Sequence, residues 1–264
     1  MVTRNDFLQT EHKTDNYDPI NTSTPSVKMA NALTRATHNL TLAEKRLIMV
    51  AASKFDSKKV QHVGANVVTT IAAHEYAELA EVSRQASYMA LKTACKHLFE
   101  RKIQFQETTK FRNGKPVTVQ KQMRWVGGAE YNEKEGTVTL KWWHEVLPYM
   151  TGLGRDFTKY YLKQTTALRS IYSWRLLELL SQFRSTGEAF FDIKTFTKAM
   201  EATPKQQENF AKIRSKIIEP AIKELQEKDG WKIEYFPKKT GRKISHIVFR
   251  FERDTQNKLF DENE

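Results

Sequence analysis

Cysteine is nearly absent from this 264-residue chain: Cys95 is the one thiol. A disulfide framework and a four-thiolate zinc site are both excluded, and a reducing cytoplasm fits. Cys95 lies inside a helical pattern and reads as a small packing residue rather than a nucleophile. Long apolar runs are missing too. The longest, 47–52, falls far short of the ~20 residues of a membrane span, so it reads as a piece of core helix and no membrane partner is expected. The opening MVTRNDFLQTEHKTDN has neither an apolar segment nor a cleavage signal. Catalytic signatures are also lacking. The seven histidines never form the His-x-His pair that a rolling-circle nicking enzyme would use beside its tyrosine. There is no Gly-x-x-x-x-Gly-Lys-Ser/Thr loop for nucleotide phosphates and no His-Glu-x-x-His zinc site. The expectation is a non-enzyme with no catalytic residue, metal or cofactor.

Positive charge is abundant. Lys and Arg number 43 against 31 Asp and Glu, a formal net charge of +12. Residues 1–26 hold two bases, Arg4 and Lys13, against four acids, so the excess lies in the rest of the chain. Such an excess favours a polyanionic partner, through phosphate neutralisation and counterion release. Residues 1–26 end in a Thr/Ser/Pro cluster and read as a loosely attached polar tail, with order beginning near Val27. Residues 255–264 read as a second tail.

The first half carries clear punctuation. Thr41-Leu42-Ala43-Glu44 is a capping box, predicting a helix over 42–55. Val67-Val68-Thr69-Thr70-Ile71 is β-branched and predicts a strand. A short helix over 72–80, a turn at Glu81-Val82 and a helix capped by Ser83 to about residue 100 follow. In that helix Ala86, Ala90, Ala94 and Leu98 make one stripe, with Leu91 beside it; Arg84, Tyr88, Lys92 and Lys96 make another. Strand, short helix, turn, long helix is a helix-turn-helix signature. Strands are then predicted over 102–108, 117–125 and 137–142. They are separated by turns at Arg112-Asn113-Gly114-Lys115 and Glu133-Lys134-Glu135-Gly136, as a wing plus an extra hairpin. Pro148 and Gly152-Leu153-Gly154 mark a domain boundary.

The second half repeats this order. An amphipathic helix is predicted over 165–185, with Leu168, Tyr172, Leu176, Leu179 and Phe183 on one face. A strand over 189–191 and a helix from Asp192 to residue 201 come next. Thr203-Pro204-Lys205-Gln206 caps a further helix, with proline at its first position. Its core runs through Phe210, Ile213, Ile217, Ala221 and Leu225. Pro220 inside the pattern predicts a kink or a break, and Gly230 ends the helix. Strands over 231–236 and 244–251 flank a basic turn, Lys238-Lys239-Thr240-Gly241-Arg242-Lys243. In the last strand His246, Val248 and Arg250 alternate with Ile247, Phe249 and Phe251, as a half-buried strand should.

The candidate nucleic-acid contacts follow from these patterns. In the second half they are Lys205, Lys212, Arg214, Ser215 and Lys216 on the helix, with Lys238, Lys239, Arg242 and Lys243 on the hairpin. An ideal wheel points Lys212, Ser215 and Lys216 away from the apolar stripe and Arg214 nearer to it. Arginine reads guanine bidentately, whereas lysine more often contacts phosphate. In the first half Arg84, Gln85, Tyr88 and Lys92 hold the corresponding face, which reads equally as a surface for a protein partner. Leu33, Leu40 and Leu47 are spaced by seven but are too few for a zipper. They read as core, as do Trp125, Trp142-Trp143 and Tyr160-Tyr161.

Four segments carry a family resemblance: Asn39-Leu40-Thr41-Leu42-Ala43-Glu44-Lys45-Arg46-Leu47, Ser173-Trp174-Arg175-Leu176-Leu177-Glu178-Leu179-Leu180, Ile218-Glu219-Pro220-Ala221-Ile222-Lys223-Glu224-Leu225 and Gly241-Arg242-Lys243-Ile244-Ser245-His246-Ile247-Val248-Phe249. Over 27–252 the chain resembles the iteron-binding plasmid replication initiators, the initiator replication protein family. The resemblance implies an α+β chain of two tandem winged-helix domains, each a helix-turn-helix plus a β-hairpin wing, related by a pseudo-repeat. Domain 1 spans 27–152 and serves dimerisation and accessory DNA contact; domain 2 spans 153–254 and is the principal DNA-binding domain. The partners implied are double-stranded DNA (origin repeats and an operator), a second copy of the chain, and host replication proteins such as the replicative helicase and its loader. The setting implied is plasmid DNA in the bacterial cytoplasm. The carried-over recognition helix includes Lys212, Arg214, Ser215 and Lys216, and the wing Lys239, Arg242 and Lys243. A tandem winged-helix repressor without initiator activity is the alternative.

Overall fold

The computed structural model describes residues 25–54, 67–110, 114–151, 153 and 156–253. The expected tails (all but residues 25 and 26 of the first), Arg112 and Asn113 of the first turn, and Gly152 and Gly154 lie outside the described residues.

The chain begins with β1 (Ser26–Ala30) and α1 (Asn31–Thr34), followed by α2 (Leu42–Ser53). The capping box forms as read: Thr41 Oγ1 accepts from Glu44 N, and Glu44 Oε2 accepts from Thr41 N at 2.7 Å. Then come β2 (Val68–Ala72), α3 (Ala73–Ala80) and α4 (Arg84–Leu98). The turn between the two helices places Glu81 at φ 49°, and the Ser83 hydroxyl caps α4. Next are β3 (Lys102–Lys110), β4 (Pro116–Arg124), β5 (Val126–Asn132) and β6 (Thr137–Trp142). β3 and β4 form a two-stranded ribbon, while β2, β6 and β5 form a three-stranded antiparallel sheet in that order.

β7 (Phe157–Tyr161) returns to pair antiparallel with β1, Val27 opposite Tyr160, so this pairing spans the break expected near residue 152. The second unit runs α5 (Ile171–Ser181), β8 (Glu188–Asp192), α6 (Ile193–Ala199), α7 (Pro204–Gln207), α8 (Phe210–Ile213), α9 (Glu219–Asp229), β9 (Trp231–Thr240) and β10 (Lys243–Arg253). Its sheet is ordered β8-β10-β9. In both sheets the first strand pairs with the last, and the last lies in the middle. This shared order is the pseudo-repeat of two winged-helix units.

Several details depart from the sequence reading. β5 was not expected, because Gly127 and Gly128 disfavour a strand. Both sit in tight places: a Cβ on Gly127 would lie 3.3 Å from the Trp143 ring, and one on Gly128 3.3 Å from the Lys141 side chain. α5 starts at Ile171 rather than 165, since Ser170 caps it and Glu224 accepts from the Arg169 and Ser170 amides. On α4 the buried stripe is Ser87, Leu91, Ala94 and Leu98, and Ala86 is exposed. Val248, which alternates with Ile247 and Phe249 along its strand, is also buried, between neighbouring strands. The core reading of Leu33, Leu40, Leu47, Trp125, Trp142 and Tyr160 holds, as does that of Cys95; Trp143 and Tyr161 are only half-buried.

The two units meet over a buried polar cluster. His38 Nε2 lies 2.8 Å from Leu33 O, which can only accept, so Nε2 carries the proton. Nδ1 then accepts from Arg175 Nη1 at 3.1 Å. Both ring nitrogens are committed to the neutral form. Burial first, and then the Arg175 and Lys45 charges, hold the His38 pKa well below its usual value. The unfolded chain takes up this proton near pH 6.5, while the folded chain refuses it until much lower pH. The His38 contribution is therefore complete above pH 6.5 and is lost as pH falls below it, by about 1.4 kcal/mol per unit. Urea unfolding at pH 5.5 and 7.0 should show this loss in the parent and a flatter dependence in His38→Gln. Equal slopes would assign the titration elsewhere.

Candidate nucleic-acid interface

The recognition segment of the second unit is set by two caps. Thr203 and Gln206 form the expected box, with Pro204 at the first position. The helix does not run on from there. Asn209 is extended, with φ −151°, and its Oδ1 accepts from Lys212 N at 2.9 Å, starting α8 afresh. Residues Arg214–Ile218 are π-helical and merge α8 into α9. Pro220 supplies a reason: it has no N–H for the Lys216 carbonyl and its ring crowds that carbonyl, which a wider turn relieves. The expected kink is thus a widened turn, and the break lies upstream at Asn209.

Lys205, Arg214, Ser215 and Lys216 are exposed, and Lys212 is half-buried. The wheel placement of Arg214 near the apolar face fails. The π turn carries Ile217 and Ile218 inward together and leaves Arg214 in solvent, 3.6 Å from Glu219. Lys212 is paired with Glu208 one turn back. Exposed pairs of this kind contribute little, so both cations remain available to a phosphate at small cost.

The hairpin β9–β10 is longer than expected. Lys238, Lys239 and Lys243 lie on the strands, and the turn is Gly241-Arg242. Gly241 takes φ 61° at the first loop position, with nothing within 4 Å of a would-be Cβ. The tip is therefore open to close approach. All four cations are exposed, and among the described residues none has a carboxylate partner.

The first unit builds the same elements with different electrostatics. Arg84 and Gln85 are exposed in the first turn of α4. Tyr88 and Lys92 are engaged by the wing turn instead. Lys92 Nζ sits 2.8 Å from Glu133 Oε1, which raises the ammonium pKa and lowers that of the carboxyl. Tyr88 lies over Gly136: a Cβ there would be 2.0 Å from the Tyr88 ring. The turn carries Glu133 and Glu135 against Lys134, so this wing tip is acidic where the other is basic. The sign was visible in the sequence, but the reach of Glu133 to Lys92 across 41 residues was not.

Between the units an open cleft of ≈ 770 Å³ is lined by Thr37 and Asn39 on one side and Lys194, Lys198, Thr203 and Gln207 on the other. Lys194 and Lys198 were not singled out in the sequence; their i, i+4 spacing on the helix before the recognition segment was the available signal. Among the described residues no group of three His, Cys, Asp or Glu side chains could hold a metal ion. No described helix is long and apolar enough to cross a membrane.

Gly136→Ala should destabilise the fold by about 1–3 kcal/mol, from positive φ and overpacking against Tyr88. A urea titration measures it, and adding Tyr88→Ala should recover part of the loss. No recovery would show that Tyr88 is not what crowds the turn.

Comparison with known proteins finds two winged-helix families in the same order along the chain, the first match running through α5. Residues 26–181 match the family described as Initiator Replication protein, WH1, and residues 192–251 match Initiator Rep protein, WH2. A replication initiation protein of Escherichia coli is 22% identical over 240 residues, covering 89% of this chain and 72% of its own. An uncharacterized 27.6 kDa protein of Escherichia coli is 24% identical over 229 residues, covering 84% and 93%. Among solved structures, the Pi initiator protein in complex with iteron DNA superposes with a TM-score of 0.72 at 23% identity, covering 88% of this chain and 98% of that one.

Proposed function

The chain belongs to the initiator replication protein family, and from that premise we propose that it starts plasmid replication by binding tandem repeats in an origin duplex. The observation that carries this reading is the pairing, on one unit, of an exposed recognition face (Lys205, Arg214, Ser215, Lys216) with an open wing whose cations have no carboxylate partner among the described residues. A major groove about 12 Å wide admits the helix. Lys212 and Lys216 contact phosphate or base edges, Arg214 reads a base, and Lys238, Lys239, Arg242 and Lys243 grip the flanking backbone. The unit over 153–254 is the principal reader. The unit over 27–152 adds contacts through Arg84 and Gln85 and holds a homodimer that represses the chain's own promoter at an operator. Tyr88 and Lys92 act there by supporting the wing. The work is mechanical rather than catalytic: bind repeats, bend the duplex, help open an adjacent A·T-rich stretch, and recruit the host helicase and its loader on plasmid DNA in the bacterial cytoplasm. Phosphate contacts supply affinity and base contacts supply register.

Binding to a duplex with tandem repeats of ~20 bp, about two helical turns, should exceed binding to a scrambled duplex by at least about 10³-fold at equal salt. Equal affinity would sink the specific reading. Lys212→Ala with Lys216→Ala should weaken binding and flatten its salt dependence by up to about two charges of slope. Unchanged affinity and slope would make these lysines a solvated face only.

A further inference from the structure

The segment 168–170, just ahead of α5, is held from both sides by the elements around the two candidate DNA helices. From the first unit, Arg46 Nη2 on α2 donates to Leu168 O at 2.6 Å. The turn between α3 and α4 is held by the Arg169 guanidinium. Its Nη1 donates to Ala80 O and its Nη2 to Glu81 Oε2, both at 3.1 Å. From the second unit, Glu224 on α9 accepts from Arg169 N at 2.7 Å and from Ser170 N at 3.2 Å. The Arg169 side chain is thus bonded to the turn that precedes one helix, and its amide to the other helix.

Each bond falls where it controls direction. Ala80 ends α3, where free carbonyls and the negative end of the helix dipole favour a cation. Glu81 sits at φ 49°, a strained conformation that persists only where its surroundings fix it. Arg169 bonds on both sides of that residue, to the carbonyl before it and to its own carboxylate. α4 begins at Arg84, three residues on, so the conformation of Glu81 aims the helix end that carries Arg84 and Gln85. Glu224 lies eight residues beyond Lys216 in a continuous helical run, about 12 Å along the axis. A carboxylate that accepts two consecutive amides leaves the segment little freedom to turn on α9. The Arg169 and Glu81 side chains are 52% and 50% exposed. Exposed pairs add little stability, so what this contact supplies is direction.

We propose that Arg169 is a positioning residue for DNA. It sets the angle between α4 and the α8–α9 recognition segment, and so the spacing of the two contacts that one molecule accepts along a duplex. The inference rests on the reading of both helices as DNA contacts. One base pair inserted between the contacts moves one of them by about 3.4 Å and by about a tenth of a turn around the axis. A stiff molecule then loses one contact, whereas a loosened one follows the duplex. Discrimination of spacing passes through this pivot, while discrimination of sequence stays with the reading helices.

Two measurements test the proposal, the first without DNA. In a Cys95→Ala chain, spin labels are placed at Met89→Cys on α4 and Lys228→Cys on α9, both exposed positions. The label–label distance distribution should be narrow in this parent and clearly wider in Arg169→Ala and in Glu224→Gln, which weakens the other side of the pivot. Arg250→Ala, which removes an exposed pair with Glu188, should leave it narrow. No widening, or equal widening in all three, overturns the proposal. The second measurement uses the ~20-bp duplex that the chain selects from a random pool. It is compared with the same duplex carrying one extra base pair between the stretches whose protection depends on Arg84 and on Lys216. The insertion should weaken parent binding at least about tenfold and Arg169→Ala binding about threefold or less, since only the stiff chain loses simultaneous engagement. Equal penalties overturn the spacing role. Equal penalties with a salt slope lower by about one charge would make Arg169 a phosphate contact instead. Distances that widen in a chain that selects no duplex would count against the DNA-binding reading and leave the pivot standing.

Discussion

One buried guanidinium holds the two units in register. Arg175 projects from α5 and is 2% exposed. Its nitrogens donate to Ala36 O at 2.6 Å, to Ala199 O, and to His38 Nδ1. Ala36 lies in the segment between α1 and α2, and Ala199 ends α6, so one side chain fastens two distant stretches of backbone. Glu201, 3.6 Å from the guanidinium, accepts from the His38 and Asn39 amides at 2.8 and 2.9 Å. Asn39 and Glu201 both sit at positive φ, 52° and 54°. Such strain persists only where surrounding bonds over-determine the backbone. Beside this knot the Lys45 ammonium, from α2, meets Glu178 of α5 at 2.7 Å, and Tyr160 donates to the same carboxylate. Burial lowers the Lys45 pKa and raises that of Tyr160. Two buried cations facing two carboxylates add little net stability, because desolvation consumes most of the Coulombic gain. What they supply is geometry: any other docking of the units would strand a charge in low dielectric.

Local chemistry was the legible part of the sequence. The boxes at Thr41 and Thr203, the caps at Ser83 and Asp192 and the terminator at Gly230 form where they were read, because each depends on residues three or four apart. Pairings closed over long loops were not legible. β1 and β7 lie more than 120 residues apart, and neither has a strong strand pattern of its own. α5 was misread in character as well as in length. Ser173-Trp174-Arg175-Leu176-Leu177-Glu178 looks like a helix with a wet side, yet all six side chains are buried. A charged residue announces solvent unless its partner is known, and the partners here are 133 and 139 residues away.

The candidate site divides the same way. Exposure of Lys205, Ser215, Lys216 and the wing cations followed from pattern alone. The position of Arg214 did not, since an ideal wheel assumes uniform hydrogen bonding and Pro220 disrupts it. Engagement of Tyr88 and Lys92 could not be read either, because it depends on where a turn more than 40 residues away comes to rest.

The pseudo-repeat preserves geometry and not charge, and this has a consequence for any duplex that meets both units. Duplex DNA carries about one charge per 1.7 Å of axis, so a wing tip is attracted or repelled according to its sign. The second wing offers four cations without carboxylate partners among the described residues. The first offers Glu133 and Glu135 and uses one of them to hold Lys92. A phosphate approaching the first unit would avoid that tip. It would meet instead the first turn of α4, where Arg84, Gln85 and the unpaired amides of a helix N-terminus favour an anion. On the proposed reading, the same fold would present a wing-and-helix grip in one half and a helix-end contact in the other. The Arg175 knot fixes the distance between them, so the spacing of the two contacts along a duplex is a property of the interior rather than of the binding surface.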